Sequence, residues 1–437
     1  MTTNISSRSH LVDLRPLTQR PDFARVWIGS MLGGLGGQLT VTAVMLHMYA
    51  LTSSTLAVAM IAFAGLVPMI FAGLYGGMLS DYFDRRRVAL ISATITWIAT
   101  VSLATVAWTG HVNEAWLYGL SIVISCSNSV VSAAKTAMTP KLVGPELIAP
   151  AAALNGISIG IMVMAGPAAG GALVALLGYP LTYTIDVLLM LSLFLGLWTL
   201  PRLLPGGVTT RPGLESLRDG LRFLRTAPNL RAQFFLDIIA MVFGSPVAIF
   251  PAVGVVLLGG GEITTGILTA AVAIGTFLSS LVSGRLSGIT RHGIAITRAV
   301  QAFGLATMLF GLALLGAHLG WFAPETVDAT HPNVVMIVAA CIALALTGAS
   351  DNISSIFRST MMQQATPDVY RGRLQGIFMT VVTSGPRLGA LYFGVLASLF
   401  TLWVPAVAGG LMIMAIAGVL LRLRPGFGAY DSRHPQP

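Results

Sequence analysis

Charged residues are scarce in this sequence of 437 residues, at 9% of the total. The 25 basic and 16 acidic side chains are too few to cover the water-facing surface of a soluble protein of this length. Hydrophobic residues make up 55% of the chain, and the mean hydropathy is +0.82. This balance excludes a soluble enzyme or a nucleic-acid-binding protein and indicates an integral membrane protein surrounded by a lipid bilayer.

Cysteine is equally rare. Cys126 and Cys341 are the two in the sequence, and each lies inside an apolar run, so no disulfide framework or metal cluster can be built from them. No metal and no cofactor are therefore expected. The polar first 21 residues lack the apolar core of a cleavable signal peptide, so the first hydrophobic segment is expected to remain in the mature protein.

Apolar segments long enough to cross a bilayer fall into two sets of six. A hydrocarbon core of about 30 Å requires about 20 residues of helix. The first set is predicted at residues 23–50, 56–79, 88–109, 115–138, 149–177 and 181–200. The second set is predicted at residues 231–258, 262–283, 294–317, 334–361, 375–399 and 402–422. The predicted fold class is an all-α polytopic membrane protein with twelve transmembrane helices.

The basic residues predict which side of the membrane each loop faces. Lys135, Arg358 and Arg387 fall within spans, and the other 22 of the 25 lie in the tails, in alternate loops or at the adjoining span ends. Because cytoplasmic loops carry the excess of Lys and Arg, both tails, 1–22 and 423–437, are predicted to be cytoplasmic. The protein is expected in the cell membrane, as a multi-pass protein of the inner or plasma membrane.

The stretch 201–230 separates an N-terminal half, 23–200, from a C-terminal half, 231–422. Its proline and glycine content indicates a cytoplasmic connector. Leucines with arginines among them recur there at helical spacing and favour an amphipathic helix on the inner leaflet, with a solvated basic linker as the alternative. These leucines are Leu214, Leu217, Leu221 and Leu224.

The two halves share short motifs. Residues 154–156 precede Gly166 and Pro167 with nearly the spacing by which residues 374–376 precede Gly385 and Pro386. Both pairs lie in the fifth span of their half. An even number of spans in each copy makes the two copies parallel, which is the architecture of the major facilitator transporters, with the substrate site between the halves.

The loop after the second span carries a more specific resemblance. Residues 77–87 read GMLSDYFDRRR and resemble the signature of the major facilitator superfamily between spans two and three. Asp84 stands where that signature has glycine, which is similar to the subgroup of enterobactin (siderophore) exporters and transmembrane secretion effectors. Residues 365–376 extend the similarity, whereas Tyr82 replaces a usual basic residue and the corresponding second-half loop lacks the acidic residue.

The resemblance implies a conformational-switch loop in which Asp81 helps lock one conformation by a charge contact with the second half. Asp81 is also expected near a helix N-terminus, whose dipole favours an anion. The alternative is a topogenic basic cluster with an incidental acid. The residues of this loop are Gly77, Asp81, Arg85 and Arg86.

Small residues in span five resemble the superfamily signature associated with antiporters, which implies export. Proline and glycine there also permit a bend and close helix contact, so an ordinary packing seam is the alternative. The residues are Gly166, Pro167, Gly170 and Gly171.

Ionisable groups inside hydrocarbon cost at least about 2.5 kcal/mol, so the embedded ones are functional candidates. Asp237 and Asp351 are the candidates for proton coupling, with a structural ion pair as the alternative. Asp351 and Arg358 are seven residues apart and are predicted to be too distant for a direct salt bridge.

Spans one, four, seven and ten line the cavity in the family, which implies a set of cavity or substrate-binding candidates. They are Gln38, His47, Asn128, Lys135 and Arg358. Asp186 and Arg387 fall outside those four spans. A lone histidine such as His47 is also compatible with a core position.

These observations favour a secondary active transporter. The resemblance implies a proton-coupled exporter of a siderophore such as enterobactin or of a similar small molecule, and a monomer is expected. A multidrug or macrolide efflux antiporter is the alternative. A polytopic membrane enzyme is more remote, because the seven histidines are scattered singly. ATP-driven transport requires a Gly-Lys-Ser/Thr loop, and neither Lys135 nor Lys141 follows a glycine.

Overall fold

The computed structural model describes residues 13–203, 214–282, 288–324, 326–434 and 436, and within these ranges every regular element is helical. The first half contains α1 (Arg15–Gln19), α2 (Pro21–Thr52), α3 (Thr55–Ala64), α4 (Leu66–Tyr82), α5 (Arg85–Trp108), α6 (Glu114–Val143) and α7 (Ile148–Trp198). The connector contains α8 (Leu214–Thr226). The second half contains α9 (Pro228–Gly244), α10 (Phe250–Ala252), α11 (Gly261–Leu281), α12 (His292–His318), α13 (Val334–Ala365), α14 (Asp368–Leu399), α15 (Val404–Leu423) and α16 (Pro425–Gly428).

Each of the twelve predicted spans overlaps one or more of these helices. Ten helical segments of the described chain are long and apolar enough to cross a membrane. One of the ten lies in α7, which consists of two helices joined at Gly178, a glycine in the left-handed region with φ 76°. The 32-residue α14 coincides with the eleventh predicted span. The all-α polytopic prediction is confirmed, and the number of membrane crossings stays a prediction.

Two spans are interrupted near the middle of the molecule. The second predicted span is divided at Gly65 into α3 and α4. The seventh consists of α9, a 3₁₀ turn (Pro246–Ile249), α10 and a π-helical turn (Val253–Leu257). Pro246 has no N–H to continue α9 and forces an extended ψ of 85° on Ser245 before it. Such interruptions are tolerated where protein or a cavity covers the freed backbone groups.

Small residues allow the helices within each half to approach closely. Gly29 of α2 lies directly against the backbone of Ser192 in α7. In the second half, Gly304 of α12 and Gly410 of α15 face one another. Lipid is as apolar as the side chains, so close packing rather than water exclusion holds such helices together.

The two halves contact each other at the ends that the basic residues predict to be outer. The Thr55 hydroxyl of α3 donates to the carbonyl of Gly394 in α14 at 3.1 Å. Gly171 of α7 lies against Gly266 of α11, so close that a Cβ at either glycine would meet the opposing backbone. The structure therefore represents a conformer that is closed on this side.

The connector helix packs on the second half. Phe223 of α8 stacks on Tyr370 of α14 with ring centroids 4.5 Å apart, and Arg373 lies 3.7 Å from Asp219. Of the four leucines that predicted this helix, Leu214 and Leu217 have side chains outside the described part of the chain.

Replacing Gly171 with leucine is expected to hold the outer ends of the halves apart, because the new side chain would collide with the backbone of Glu262 and Gly266. Spin labels at His111 and Leu319, in outer loops of opposite halves, should report a shift to longer distances. The matched control is Gly160→Leu on the same helix, where a Cβ meets open space. Equal distance distributions in the two variants would contradict closure at this contact.

Candidate functional site

A cavity of about 250 Å³ lies between the two halves. Its walls are contributed by α2, α3 and α6 of the first half, and by the Pro246–Ile249 turn and α14 of the second. Most of the lining side chains are aliphatic. The polar exceptions are Thr40, Ser121, Ser125 and Arg387. The cavity is thus apolar, with three hydroxyl groups and one cation.

Arg387 is the one charged residue among the lining residues. Its Nη1 donates to the carbonyl of Ala62 at 2.8 Å, and its Nη2 lies 3.1 Å from Met69 Sδ. Ala62 belongs to α3, just before the break at Gly65, so this side chain links the second half to an interrupted span of the first. A guanidinium carries five N–H donors, so donors remain for a molecule in the cavity.

Arg387 lies outside the spans from which cavity residues were expected, and the structure brings it to the cavity wall. The signal was present in the sequence, because an arginine in the middle of an apolar span is costly and marks a functional position. The expectation that spans one, four, seven and ten line the cavity did not include α14.

None of the five predicted cavity residues lines this cavity. Gln38 of α2 lies against Gly166 of α7, where a Cβ would meet its side chain. On α6, Asn128 is exposed and Lys135 is half-buried. The proposed contacts of these three residues with a substrate stay predictions.

His47 lies in an aromatic cluster between α2 and α7. Its ring stacks on Tyr179 with centroids 4.0 Å apart and an interplanar angle of 8°. Its Nδ1 is 3.2 Å from the hydroxyl of Tyr183, which is fully buried. A histidine held in this way fits a satisfied core position.

Arg358 connects the two carboxylates that are candidates for proton coupling. Its Nη1 donates to Asp237 Oδ1, and its Nη2 donates to Asp351 Oδ1 at 3.0 Å. Arg358 and Asp237 are almost fully buried, whereas the side chain of Asp351 is 36% exposed. The site therefore holds two carboxylates and one guanidinium. Of the two carboxylates, that of Asp351 is within reach of water.

The prediction that Asp351 and Arg358 are too far apart to pair was wrong. Helix side chains point back toward the N-terminus, and an arginine is long enough to cover two turns in that direction. The partner from another helix, Asp237, is present as well, so Arg358 is shared rather than exchanged between the two acids.

The arginines of the switch loop are bonded within the first half in this conformer. Arg85 donates to the carbonyl of Ala137 at 2.8 Å. Arg86 donates to the carbonyls of Leu197 and Trp198 at 3.2 and 2.5 Å, at the C-terminus of α7. A basic group there donates to carbonyls that have no partner in the helix, and its positive charge interacts favourably with the negative end of the helix dipole.

The anion at the N-terminus of α5 is Asp84. Its Oδ1 accepts from the backbone N–H of Arg86 at 3.1 Å and of Leu203 at 3.0 Å. Asp81, for which the sequence predicted such a position, lies instead in the last turn of α4, and its side chain is outside the described part of the chain. Gly77 of the same loop borders open space.

The small residues of span five face two different helices. Gly166 and Gly170 lie against α2, at Gln38 and Thr42 respectively. Gly171 lies against α11 of the opposite half, and the neighbouring carbonyl of Pro167 faces Gly266. The motif is thus a packing surface on both sides, including the contact between halves.

The fold and the inter-half cavity define a polytopic membrane transporter of the major facilitator type. The crystal structure of nucleoside transporter NupG (D323A mutant) aligns with a TM-score of 0.70 at 14% identity, covering 92% of this chain and 99% of that one. A bacterial homologue of the lysosomal transporter Spinster, in an inward-facing and unoccupied conformation, aligns with a TM-score of 0.63 at 12% identity, covering 96% and 98%.

Residues 12–435 match the family model described as transmembrane secretion effector, and the chain belongs to that family. It is 27% identical to the enterobactin exporter EntS of Shigella dysenteriae serotype 1 over 96% of this chain and 95% of that protein. The exporter of the same name from Escherichia coli O1:K1 is 27% identical over the same shares. The resemblance to this subgroup is confirmed.

Removing Arg358 is expected to destabilise the protein strongly, because Arg358→Met would leave two carboxylates facing each other without a cation. Breaking a buried ion pair from one side costs about 3–5 kcal/mol. Thermal unfolding of the purified protein in detergent would measure the loss. Arg373→Met is the matched control, since Arg373 is partly exposed and pairs with Asp219 at 3.7 Å. An equal decrease in melting temperature for both variants would contradict this assignment.

Proposed function

We propose that this protein is a proton-coupled exporter of a siderophore such as enterobactin or of a similar acidic, amphiphilic small molecule. The observation that carries the proposal is the cavity between the halves, whose aliphatic walls surround one guanidinium, that of Arg387. The relatives named enterobactin exporter support the choice of substrate class, at 27% identity.

The lining chemistry suits aromatic acids. Aliphatic side chains accept flat apolar rings, the hydroxyls of Ser121 and Ser125 bond to phenolic oxygens, and Arg387 pairs with an anionic group in a medium of low dielectric constant. Ordinary ligand sites measure about 300–1,000 Å³. At about 250 Å³, the cavity of this closed conformer accommodates one arm of a molecule as large as a siderophore rather than the whole.

Transport in this proposal proceeds by alternating closure of the two ends. In the present conformer the outer end is held by the bond from Thr55 to Gly394 and by the contact of Gly171 with Gly266. The loop with Gly77, Asp81, Arg85 and Arg86 would close the opposite end in the other conformer. Both termini are then cytoplasmic, and export runs from the cytoplasmic side outward.

Proton coupling is assigned to the cluster formed by Asp237, Arg358 and Asp351. Because one cation serves two carboxylates, binding of a proton to Asp351 would leave Arg358 paired with Asp237 alone. The partial exposure of Asp351 gives protons access to it. Proton binding at this cluster would then alternate with substrate binding in the cavity.

A multidrug or macrolide efflux antiporter is the second candidate. The aliphatic walls of the cavity favour it, because they would accept many lipophilic molecules. Arg387 disfavours cationic drugs by direct charge repulsion.

Substrate class is tested in inside-out vesicles with a proton gradient, by comparing uptake of enterobactin with uptake of the cationic dye ethidium. Enterobactin uptake is expected, and Arg387→Gln should reduce it about tenfold or more, because a hydrogen bond to a charged group contributes about 1.5–3 kcal/mol. Arg387→Lys should retain part of the activity. Transport of ethidium alone would favour the multidrug alternative.

Coupling is tested in the same vesicles with Asp351→Asn and Asp237→Asn. At least one of the two is expected to abolish proton-driven accumulation while retaining exchange of labelled for unlabelled substrate across a membrane without a gradient. Asn keeps the size of the side chain and removes only its charge. Full proton-driven accumulation in both variants would eliminate this cluster as the coupling site.

A further inference from the structure

We infer that Asp186, on the second helix of α7, is a proton-binding carboxyl beside the wall of the cavity, separate from the cluster of Asp237, Arg358 and Asp351. The existence of the site stands on its own geometry, and its role in coupling rests on the proposed function. Asp186 was not among the predicted cavity residues, because its span does not line the cavity in the family.

Asp186 is sealed between α7 and α2. It is 1% exposed, its Oδ2 accepts a hydrogen bond of 2.5 Å from the Thr40 hydroxyl, and its Oδ1 has no partner in the described part of the protein. Gly36, one turn before Thr40, leaves just enough room for the carboxyl group. Thr40 itself lines the cavity, so a single side chain separates Asp186 from the transport path.

The titratable groups around Asp186 are few. Toward the outer end, α7 contributes Tyr183 and Tyr179, and α2 contributes His47 between them. Glu262 of α11 lies with its backbone against Gly171 on the first helix of α7. From residue 88 to residue 108, α5, which packs on the same helix, carries no acidic, basic, histidine, cysteine or tyrosine residue.

No cation of the described chain makes an ion pair or hydrogen bond with Asp186, and the cation of the cavity, Arg387, is bonded to Ala62. An ionised carboxylate buried without a cation is so costly that such groups take up a proton instead. A neutral carboxylic acid with one hydrogen bond is tolerated. In this outer-closed conformer Asp186 is therefore a protonated acid.

Asp237 is buried to a similar degree and shows the contrast. Its charge is compensated by Arg358, so it can remain ionised when the surrounding helices close. The two buried acids thus differ in what closure demands of them. Closing dry protein around Asp186 requires a proton, whereas closing it around Asp237 requires only that Arg358 stay in place.

This requirement couples proton movement to the conformational cycle. Thr40 lines the cavity that the second half covers, so closure of the outer end shuts water away from Asp186 only when a proton is bound. The return of the empty transporter to the outer-closed conformer then carries one proton inward. Release of that proton toward the cavity past Thr40 leaves a buried carboxylate without a cation, which favours reopening of the outer end. Substrate export in the opposite direction then proceeds with Asp186 ionised.

The site is tested without substrate by infrared spectroscopy of the full-length protein in lipid nanodiscs during a pH titration. The wild type is expected to show the C=O stretch of a protonated carboxylic acid, and Asp186→Asn should lose that band. Thr40→Val, which keeps the shape and removes the hydrogen bond, should retain the band and shift it to higher wavenumber. Asp237→Asn is the matched control and should leave the band unchanged.

A band that persists unshifted in both Asp186→Asn and Thr40→Val would overturn the proposal. The role in coupling is measured in proteoliposomes with enterobactin, where Asp186→Asn should lose accumulation driven by the proton gradient and keep substrate exchange. Full accumulation in Asp186→Asn would overturn that role. If the wild type does not transport enterobactin, the proposed function fails, and the infrared result still decides whether Asp186 binds a proton.

Discussion

Hydrocarbon does not solvate charge, and this constraint governs every polar group inside the membrane-spanning part of the protein. Three embedded ionisable groups are compensated in different ways. Arg358 is neutralised by two carboxylates, Arg387 donates a hydrogen bond to a backbone carbonyl near a broken helix, and Asp186 accepts one from the hydroxyl of Thr40. The less complete the local compensation, the more the group depends on something brought from outside, whether an anionic ligand or a proton.

The same constraint explains where the backbone is irregular. The breaks at Gly65 and at Ser245 lie next to the inter-half cavity, and Arg387 donates to a carbonyl beside the first of them. Backbone groups freed from a helix require partners from other helices when no water is available. The cavity therefore lies beside both interruptions, and the one cation among its lining residues also stabilises the first of them.

The all-α polytopic fold class, a helix in the connector and the family were predictable from the sequence, because hydropathy, residue spacing and short motifs are properties of whole segments. The number of membrane crossings stays a prediction. Side-chain partners were not. The pairing of Asp351 with Arg358 depends on the direction of an arginine side chain, and the anion at the start of α5 proved to be Asp84, three residues after Asp81. Arg387 was not expected at the cavity, because the prediction of the lining residues used the order of the spans and not the break between α3 and α4.

The junction at Gly178 leaves little chain projecting from the surface that is predicted to be outer. Inside α7 the helical angles are interrupted at Gly178 alone, and Pro180 follows two residues later, so the fifth and sixth predicted spans are joined with almost no loop. Antibodies, proteases and bacteriophages recognise extended segments that project from the membrane, and this junction offers them none. On the predicted orientation, epitope tags for detecting the protein on intact cells belong instead between α12, which ends at His318, and α13, which begins at Val334.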